Sequence, residues 1–363
     1  MTLVKTAKVM NINDISLNEK HVDLQRDGKR YPLAFFKPNG SKGDYCFYMN
    51  YAIDTYRSGC YNDCLYCFAR SINQNIDKSK WKPNDVSIID TESIDRQFRN
   101  AFETSKKATK ITSILRQRIP IKIGRNSDPF HPIEKHVRAT YETLEIFNRY
   151  HYPYILSTKS DMVADERYLK LYDPEITYVQ MTVTTLNEVL GKKMEQNAVS
   201  PFKRIDAVKK LSDIGIKTAF RIQPLFPIYP DGTLSSGYQN QDHVKSKYFS
   251  FGLVDELIKV KPHCIIAGFL KVYSSNIYKE LSDTGMDIVP FYRLNKRCFS
   301  PREMTRYFNI IKKKCDNSGV NFSVCYDKAQ NFEKFRYMWA NQNDCCCAKG
   351  MIEGFNKTAR DVQ

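Results

Sequence analysis

Six short apolar or β-branched runs recur along the chain, at Tyr45–Ile53, Ile121–Arg125, Tyr154–Thr158, Tyr178–Val183, Lys217–Gln223 and His263–Phe269. Helical patterns fall between them, near residues 92–112, 134–149, 165–172, 201–214 and 243–260. Strands separated by helices call for a parallel sheet. Right-handed crossovers then curl such a sheet into a barrel or wind it doubly. Six units fit an α/β chain folded as a partial (β/α)6 barrel. Ser200–Pro201 suits a helix entry, Asp128–Pro129 a helix entry or turn, and Gly215 the end of the helix over 201–214. The expected organisation is an N-terminal extension over 1–43, the barrel over 44–270, and a basic, cysteine- and aromatic-rich C-terminal unit over 271–363.

Eleven cysteines are spread unevenly over the 363 residues. The N-terminus lacks the apolar block of a signal peptide, and no apolar run reaches the ~18 residues of a membrane span. A soluble, cytoplasmic protein is expected, and there cysteines serve as ligands more often than as disulfides. Cys60, Cys64 and Cys67 lie in Gly59-Cys-Tyr-Asn-Asp-Cys-Leu-Tyr-Cys-Phe-Ala-Arg70, a C-x3-C-x2-C spacing directly after the first strand. Three soft thiolates on one loop can hold three irons of a 4Fe–4S cube and leave the fourth iron open to a small chelating molecule. The competing reading is structural zinc, for which Cys46 is the nearest fourth ligand. Loops at the C-terminal ends of barrel strands are where such folds place chemistry.

An aromatic residue precedes the third cysteine, and with it the segment resembles the radical S-adenosylmethionine (SAM) superfamily signature. The likeness runs over roughly residues 45–270 and is nearest to the subgroup of spore photoproduct lyase. Asn50 through Arg70 resembles that subgroup's cluster loop, and Gly124-Arg-Asn-Ser-Asp-Pro-Phe-His-Pro-Ile-Glu134 its second-strand motif. Ser157-Thr-Lys-Ser160 resembles the third-strand motif, while Thr182–Thr185 and Arg221–Pro224 resemble the fourth and fifth strand ends. The resemblance implies a TIM-type partial barrel and a 4Fe–4S cluster that reductively cleaves SAM to a 5′-deoxyadenosyl radical. It further implies hydrogen abstraction from a substrate, and an electron donor such as flavodoxin or ferredoxin.

The same resemblance implies cofactor contacts. Tyr66 is expected on the adenine side, or as core packing. Asn126, Ser127 and Asp128 suit the methionine amino group, or the turn that follows. Lys159, a compact point charge, suits the carboxylate, unless it is a solvated surface lysine. Thr182 and Thr184 alternate along a strand and so share a face, within reach of ribose or methionine. Arg221 offers a planar fork for a carboxylate or phosphate, or a structural ion pair, with Gln223 on the same face. Spore photoproduct lyase uses a barrel cysteine as hydrogen-atom donor, whereas Phe68–His263 contains none. Tyr141 is a candidate replacement that no feature singles out, so the substrate of that enzyme does not carry over.

Cys298, Cys325, Cys345, Cys346 and Cys347 could hold a second metal, iron–sulfur ahead of zinc, or remain free thiols. The tail around them interleaves bases and aromatics, as in Phe291-Tyr-Arg-Leu-Asn-Lys-Arg297, Phe335-Arg-Tyr337 and Trp339, a pattern that can grip phosphates and stack bases. Lys312–Lys314 reads as a solvated helix face sooner than as a phosphate contact. The net charge of +16 points to a polyanion, nucleic acid above all. The leading expectation is therefore a radical SAM enzyme that modifies or repairs nucleic acid. The alternatives are one acting on a peptide or small metabolite, and a non-enzymatic zinc-binding nucleic-acid module.

Overall fold

The computed structural model describes residues 10–11, 30–35, 51–70, 83, 85–226, 249–272, 275–284, 301–324, 335 and 354–355. Seven strands form one all-parallel sheet in chain order: β3 (Ala52–Ile53), β6 (Ile121–Ile123), β7 (Tyr154–Thr158), β8 (Thr177–Thr182), β9 (Lys217–Leu225), β10 (Cys264–Phe269) and β11 (Asn321–Val324). All residues of β8 and β10 are buried, as parallel strands covered on both faces require. A smaller sheet precedes the barrel, in which β5 (Asp85–Ile89) pairs with β1 (Met10–Asn11), β2 (Arg30–Tyr31) and β4 (Tyr56–Arg57).

The helices are α1 (Thr91–Phe102), α2 (Lys110–Arg116), α3 (Glu134–Val137), α4 (Ala139–Arg149), α5 (Glu166–Leu169), α6 (Glu188–Met194), α7 (Pro201–Asp213), α8 (Gly252–Lys259), α9 (Ser275–Asp283) and α10 (Pro301–Asn317). Pro201 opens α7 at a position whose missing N–H costs nothing. Two residues after that helix ends, Gly215 takes φ +83°, the left-handed conformation common just past a helix terminus. The helical pattern over 92–112 is broken into α1 and α2. Thr109 starts α2 with a reciprocal capping box to Thr112.

The sheet continues past residue 270. Met304, Tyr307, Phe308, Ile311 and Cys315 form the buried stripe of α10, and that helix returns the chain to β11 beside β10. Lys312 pairs with Asp316, and Lys314 with Asp255 at 2.6 Å, so these lysines occupy the solvated side of α10. Phe335 packs edge-on against Phe308. The other tail aromatics quoted above lie outside the described residues, as do Cys46, Cys298, Cys325, Cys345, Cys346 and Cys347.

Alternate strand residues separate two apolar clusters, as a period of two demands. Leu156, Val179, Phe220 and Ile265 join the main core, whereas Ile155, Tyr178, Ala219, Cys264 and Ile266 line the inside of the barrel. Phe355 joins this inner cluster, fully buried and edge-on to Tyr178, while the neighbouring Gly354 N–H donates to the Glu175 carbonyl at 3.1 Å. The base of the barrel is thus filled with side chains, and its open space lies at the C-terminal ends of the strands. No helix among the described residues is long and apolar enough to cross a membrane.

Candidate active site

The cysteine loop is two tight turns in succession. Asp63 N–H bonds the Cys60 carbonyl and Cys67 N–H bonds the Cys64 carbonyl, each at 3.1 Å, and Asp63 takes a positive φ of 40° between them. After Cys67 the chain turns helical at residues 68–70. All three cysteines line one cavity of about 270 Å³ at the mouth of the barrel.

The cavity's other walls are the strand ends. Asn126, Ser127 and Asp128 follow β6, Lys159 follows β7, Thr182 ends β8, and Arg221 and Gln223 lie on β9. Tyr66 lines it from the cysteine loop, edge-on to Phe226. Thr184 sits behind this wall, 1% exposed, with its hydroxyl 3.3 Å from Glu195 Oε1. Tyr141 lies elsewhere, on α4, where its ring meets Tyr168 at 5.6 Å under the Arg138 guanidinium.

Buried carboxylates shape the walls. Asp54, just after β3, accepts backbone N–H bonds from Arg125 at 2.6 Å and from Asn126. Burial pushes its pKa up to about 6, against those amide bonds and Arg57. Gly124 makes the turn above it at φ +89°, where a Cβ would strike the Ser157 carbonyl and lie 2.7 Å from Pro129 Cδ. Asp128 accepts from Asn62 Nδ2, Thr158 Oγ1, Lys159 N and Phe130 N, at 2.7–3.0 Å. It thereby ties the cysteine loop, β6 and β7 together.

A second network lies behind Cys64. Glu195, at the end of α6, pairs with Arg204 of α7 at 2.7 Å and accepts from the Tyr66 hydroxyl. Burial opposes the Glu195 charge, but Arg204 and Lys159 outweigh it and hold the carboxyl below its usual range. Cys64 bridges to Glu195 along the backbone, and Leu65 N–H bonds the Met194 carbonyl at 2.9 Å. Lys159 Nζ lies 5.7 Å from the Tyr66 ring centre. Burial works against its charge, yet Cys64 and Glu195 raise its pKa overall. Burial likewise raises the Cys60 thiol, and that of Cys64 to about 12, so taking up a metal as thiolates would release protons.

Sequence reasoning missed Glu195, Arg204, Asn62 and Asp54. Arg204 carried a readable signal: it occupies the buried stripe of α7 with Ile205, Val208 and Leu211, where an arginine needs a partner. Glu195 and Asp54 carried none, because their partners come from distant segments.

Among the described residues, His151, Asp173 and Glu175 place three ligand atoms mutually within 4.8 Å near the opposite end of the barrel, the aspartate half-buried and the other two exposed. Cys60, Cys64 and Cys67 lie on one loop and line one cavity, an arrangement that suits three ligands of a 4Fe–4S cluster.

Residues 56–233 match the Radical SAM superfamily. These residues are a radical SAM domain. The superfamily uses a 4Fe–4S cluster and SAM, and Cys60, Cys64 and Cys67 are the cysteines of this domain that suit the cluster. The chain is 29% identical over 177 residues to an uncharacterized protein of Methanocaldococcus jannaschii, a match covering 49% of this chain and 61% of that protein's length. Among solved structures, the radical SAM domain and its surroundings resemble a double mutant of spore photoproduct lyase with AdoMet and dinucleoside spore photoproduct bound. The TM-score is 0.54 at 16% identity, covering 80% of each chain. A second spore photoproduct lyase complex gives 0.54 at 16% identity, covering 82% of this chain and 81% of the other. At these identities the likeness is one of fold.

Proposed function

We propose that this protein is a radical SAM enzyme acting on nucleic acid. The observation that carries the reading is the shared cavity: three thiols of one loop face the C-terminal ends of β6, β7, β8 and β9 across a single space. When bound, cluster and SAM would supply a carbon radical able to take hydrogen from a substrate.

The chain's own residues hold and orient. Cys60, Cys64 and Cys67 are the cluster ligands. Lys159, whose positive charge is sustained by its surroundings, offers a point charge to the methionine carboxylate. Ser127 donates to the Tyr56 carbonyl and Asn126 N–H is held by Asp54, so this loop is rigid before anything binds. Tyr66 closes the loop side, and Thr182 and Gln223 the far wall.

Nucleic acid as substrate is supported by the +16 net charge and by a cavity whose lining, among the described residues, has five cationic side chains and one carboxylate. The similar spore photoproduct lyase structures hold a dinucleoside spore photoproduct. The test is anaerobic incubation of reduced, iron-loaded protein with SAM and with DNA, RNA or peptide, followed by mass spectrometry. A mass-shifted nucleotide is expected, together with loss of SAM cleavage in Cys60→Ala. SAM left intact by the reduced wild type would overturn the enzymatic reading, and a product confined to peptide would overturn the choice of substrate.

A further inference from the structure

Strands β9 and β10 fall out of step where they reach the cavity. Ala267 pairs with Ile222 and Phe269 with Leu225, so two β9 residues, Gln223 and Pro224, stand opposite the one residue Gly268. An extra residue of this kind is a β-bulge, which bends its strand and re-aims a side chain. Pro224 suits the position, since it has no N–H to give to a ladder. The re-aimed side chain is that of Gln223. A Cβ on Gly268 would lie 2.9 Å from Gln223 Nε2, 3.0 Å from its Cδ and 3.2 Å from its Cγ. The carboxamide therefore rests directly over the bare backbone of Gly268.

The same carboxamide ends a polar chain that runs from β7 to β10. Ser157 Oγ of β7 donates to Gln180 Oε1 of β8 at 3.3 Å, and Arg221 Nη1 of β9 donates to the same oxygen at 3.0 Å. Arg221 Nη2 donates to Gln223 Oε1. With its oxygen turned to Arg221, Gln223 has its nitrogen over β10. Gln180 is fully buried, while Ser157, Arg221 and Gln223 line the cavity. Gly268 has no left-handed φ, and the three atoms nearest to a Cβ there all belong to the Gln223 side chain. The backbone does not ask for glycine at 268, whereas the placement of Gln223 does.

We propose that Gly268 is a positioning residue of the cofactor cavity and acts through Gln223. Its missing side chain leaves the place in which the carboxamide lies against β10, and the bond from Arg221 fixes the carboxamide there. This part of the cavity wall is then set before SAM binds. A side chain at 268 would expel the carboxamide, and the open space beside it is the cavity of about 270 Å³ that SAM would share with the cluster. The inference rests on SAM binding in this cavity, as the enzymatic reading above requires, and is independent of the choice of substrate.

The test measures SAM affinity of the iron-loaded protein by equilibrium dialysis, with iron per chain and the thermal unfolding midpoint taken on the same samples. Gly268→Ala should weaken SAM binding about tenfold, the size expected for one displaced polar contact. Iron content and unfolding midpoint should stay at wild-type values, because the atoms that must move are the end of a flexible side chain. In a Gln223→Ala background the same change should leave SAM affinity where it was, since no carboxamide remains to be placed. Unchanged SAM affinity in Gly268→Ala overturns the proposal. So does an equal loss in both backgrounds, which would give the glycine a role apart from Gln223. A lowered unfolding midpoint that the Gln223→Ala background does not relieve makes the glycine a packing requirement and overturns it too. Wild type that takes up iron but binds no SAM overturns the enzymatic reading and this proposal together, whereas wild type that binds SAM leaves the variants to decide this proposal alone.

Discussion

Glu195 and Arg204 form an ion pair at 2.7 Å with both side chains only 3% exposed, directly behind the cysteine loop. Arg204 also donates to the Thr182 and Val199 carbonyls, and Glu195 takes the Tyr66 hydroxyl. The pair therefore joins α6, α7, the end of β8 and the loop of Cys64. Its importance is positional, because the desolvation of two such charges consumes much of their attraction.

Removing one partner leaves the other charge buried and alone. Arg204→Met should cost about 3–5 kcal/mol in urea unfolding. The double variant Glu195→Gln/Arg204→Met should cost less than the sum of the single changes. Both single variants should retain less iron per chain after anaerobic loading, since the loop loses its backing.

Gly124→Ala tests the turn after β6. Its φ of +89° and the clash with Ser157 O leave no room for a methyl group. A loss of more than about 1–2 kcal/mol is expected from the backbone conformation alone, with weakened SAM binding by equilibrium dialysis. A variant with wild-type melting and SAM affinity would show that this turn does not set the site.

Phe355→Ala should open the base of the barrel. A fully buried Phe costs about 3–5 kcal/mol on truncation. Thermal unfolding should show this loss. Because the cavity is at the other end, iron content should be retained at temperatures where the variant is folded.

His131 gives a pH signature. Burial lowers its pKa from 6.5 to about 4, against a hydrogen bond with Pro83. The unfolded chain binds this proton more readily, so the group's stabilisation is complete above pH 6.5 and is lost as pH falls toward 4. The size is about 3 kcal/mol over that window, at ~1.36 kcal/mol per pKa unit. Asp54, raised from 3.8 to about 6, has the opposite sign: its contribution is greatest below 3.8 and is lost as pH rises to 6. Comparing wild type with His131→Asn isolates the histidine. The stability difference between them should grow by about 3 kcal/mol from pH 4 to 6.5. A constant difference across that range would assign the histidine no role in acid sensitivity.

The barrel was legible because buried parallel strands are written as short continuous apolar runs, and five of the six runs coincide with β6 to β10 while Tyr45–Ile53 reaches β3. The segment before Cys325 was legible as a strand, but not as the seventh member of this sheet. Asn321–Val324 is short and polar at its start, and pairing with β10 places it in the sheet. The short helix α6 was missed as well, as its seven residues hold only one turn-spaced pair of buried positions, Gly191 and Met194.

The sequence by itself determined the cysteine loop and the order of the strand ends, because spacing along one short segment and a period of two are local properties. Only the tertiary structure decided which charges meet. Asp54 reaches Arg125 across 71 residues, Tyr66 reaches Glu195 across 129, and Lys122 comes to face the same space as Arg221. Pairing of this kind depends on how neighbouring strands are staggered and on which side of each strand is enclosed, and no single segment carries that information.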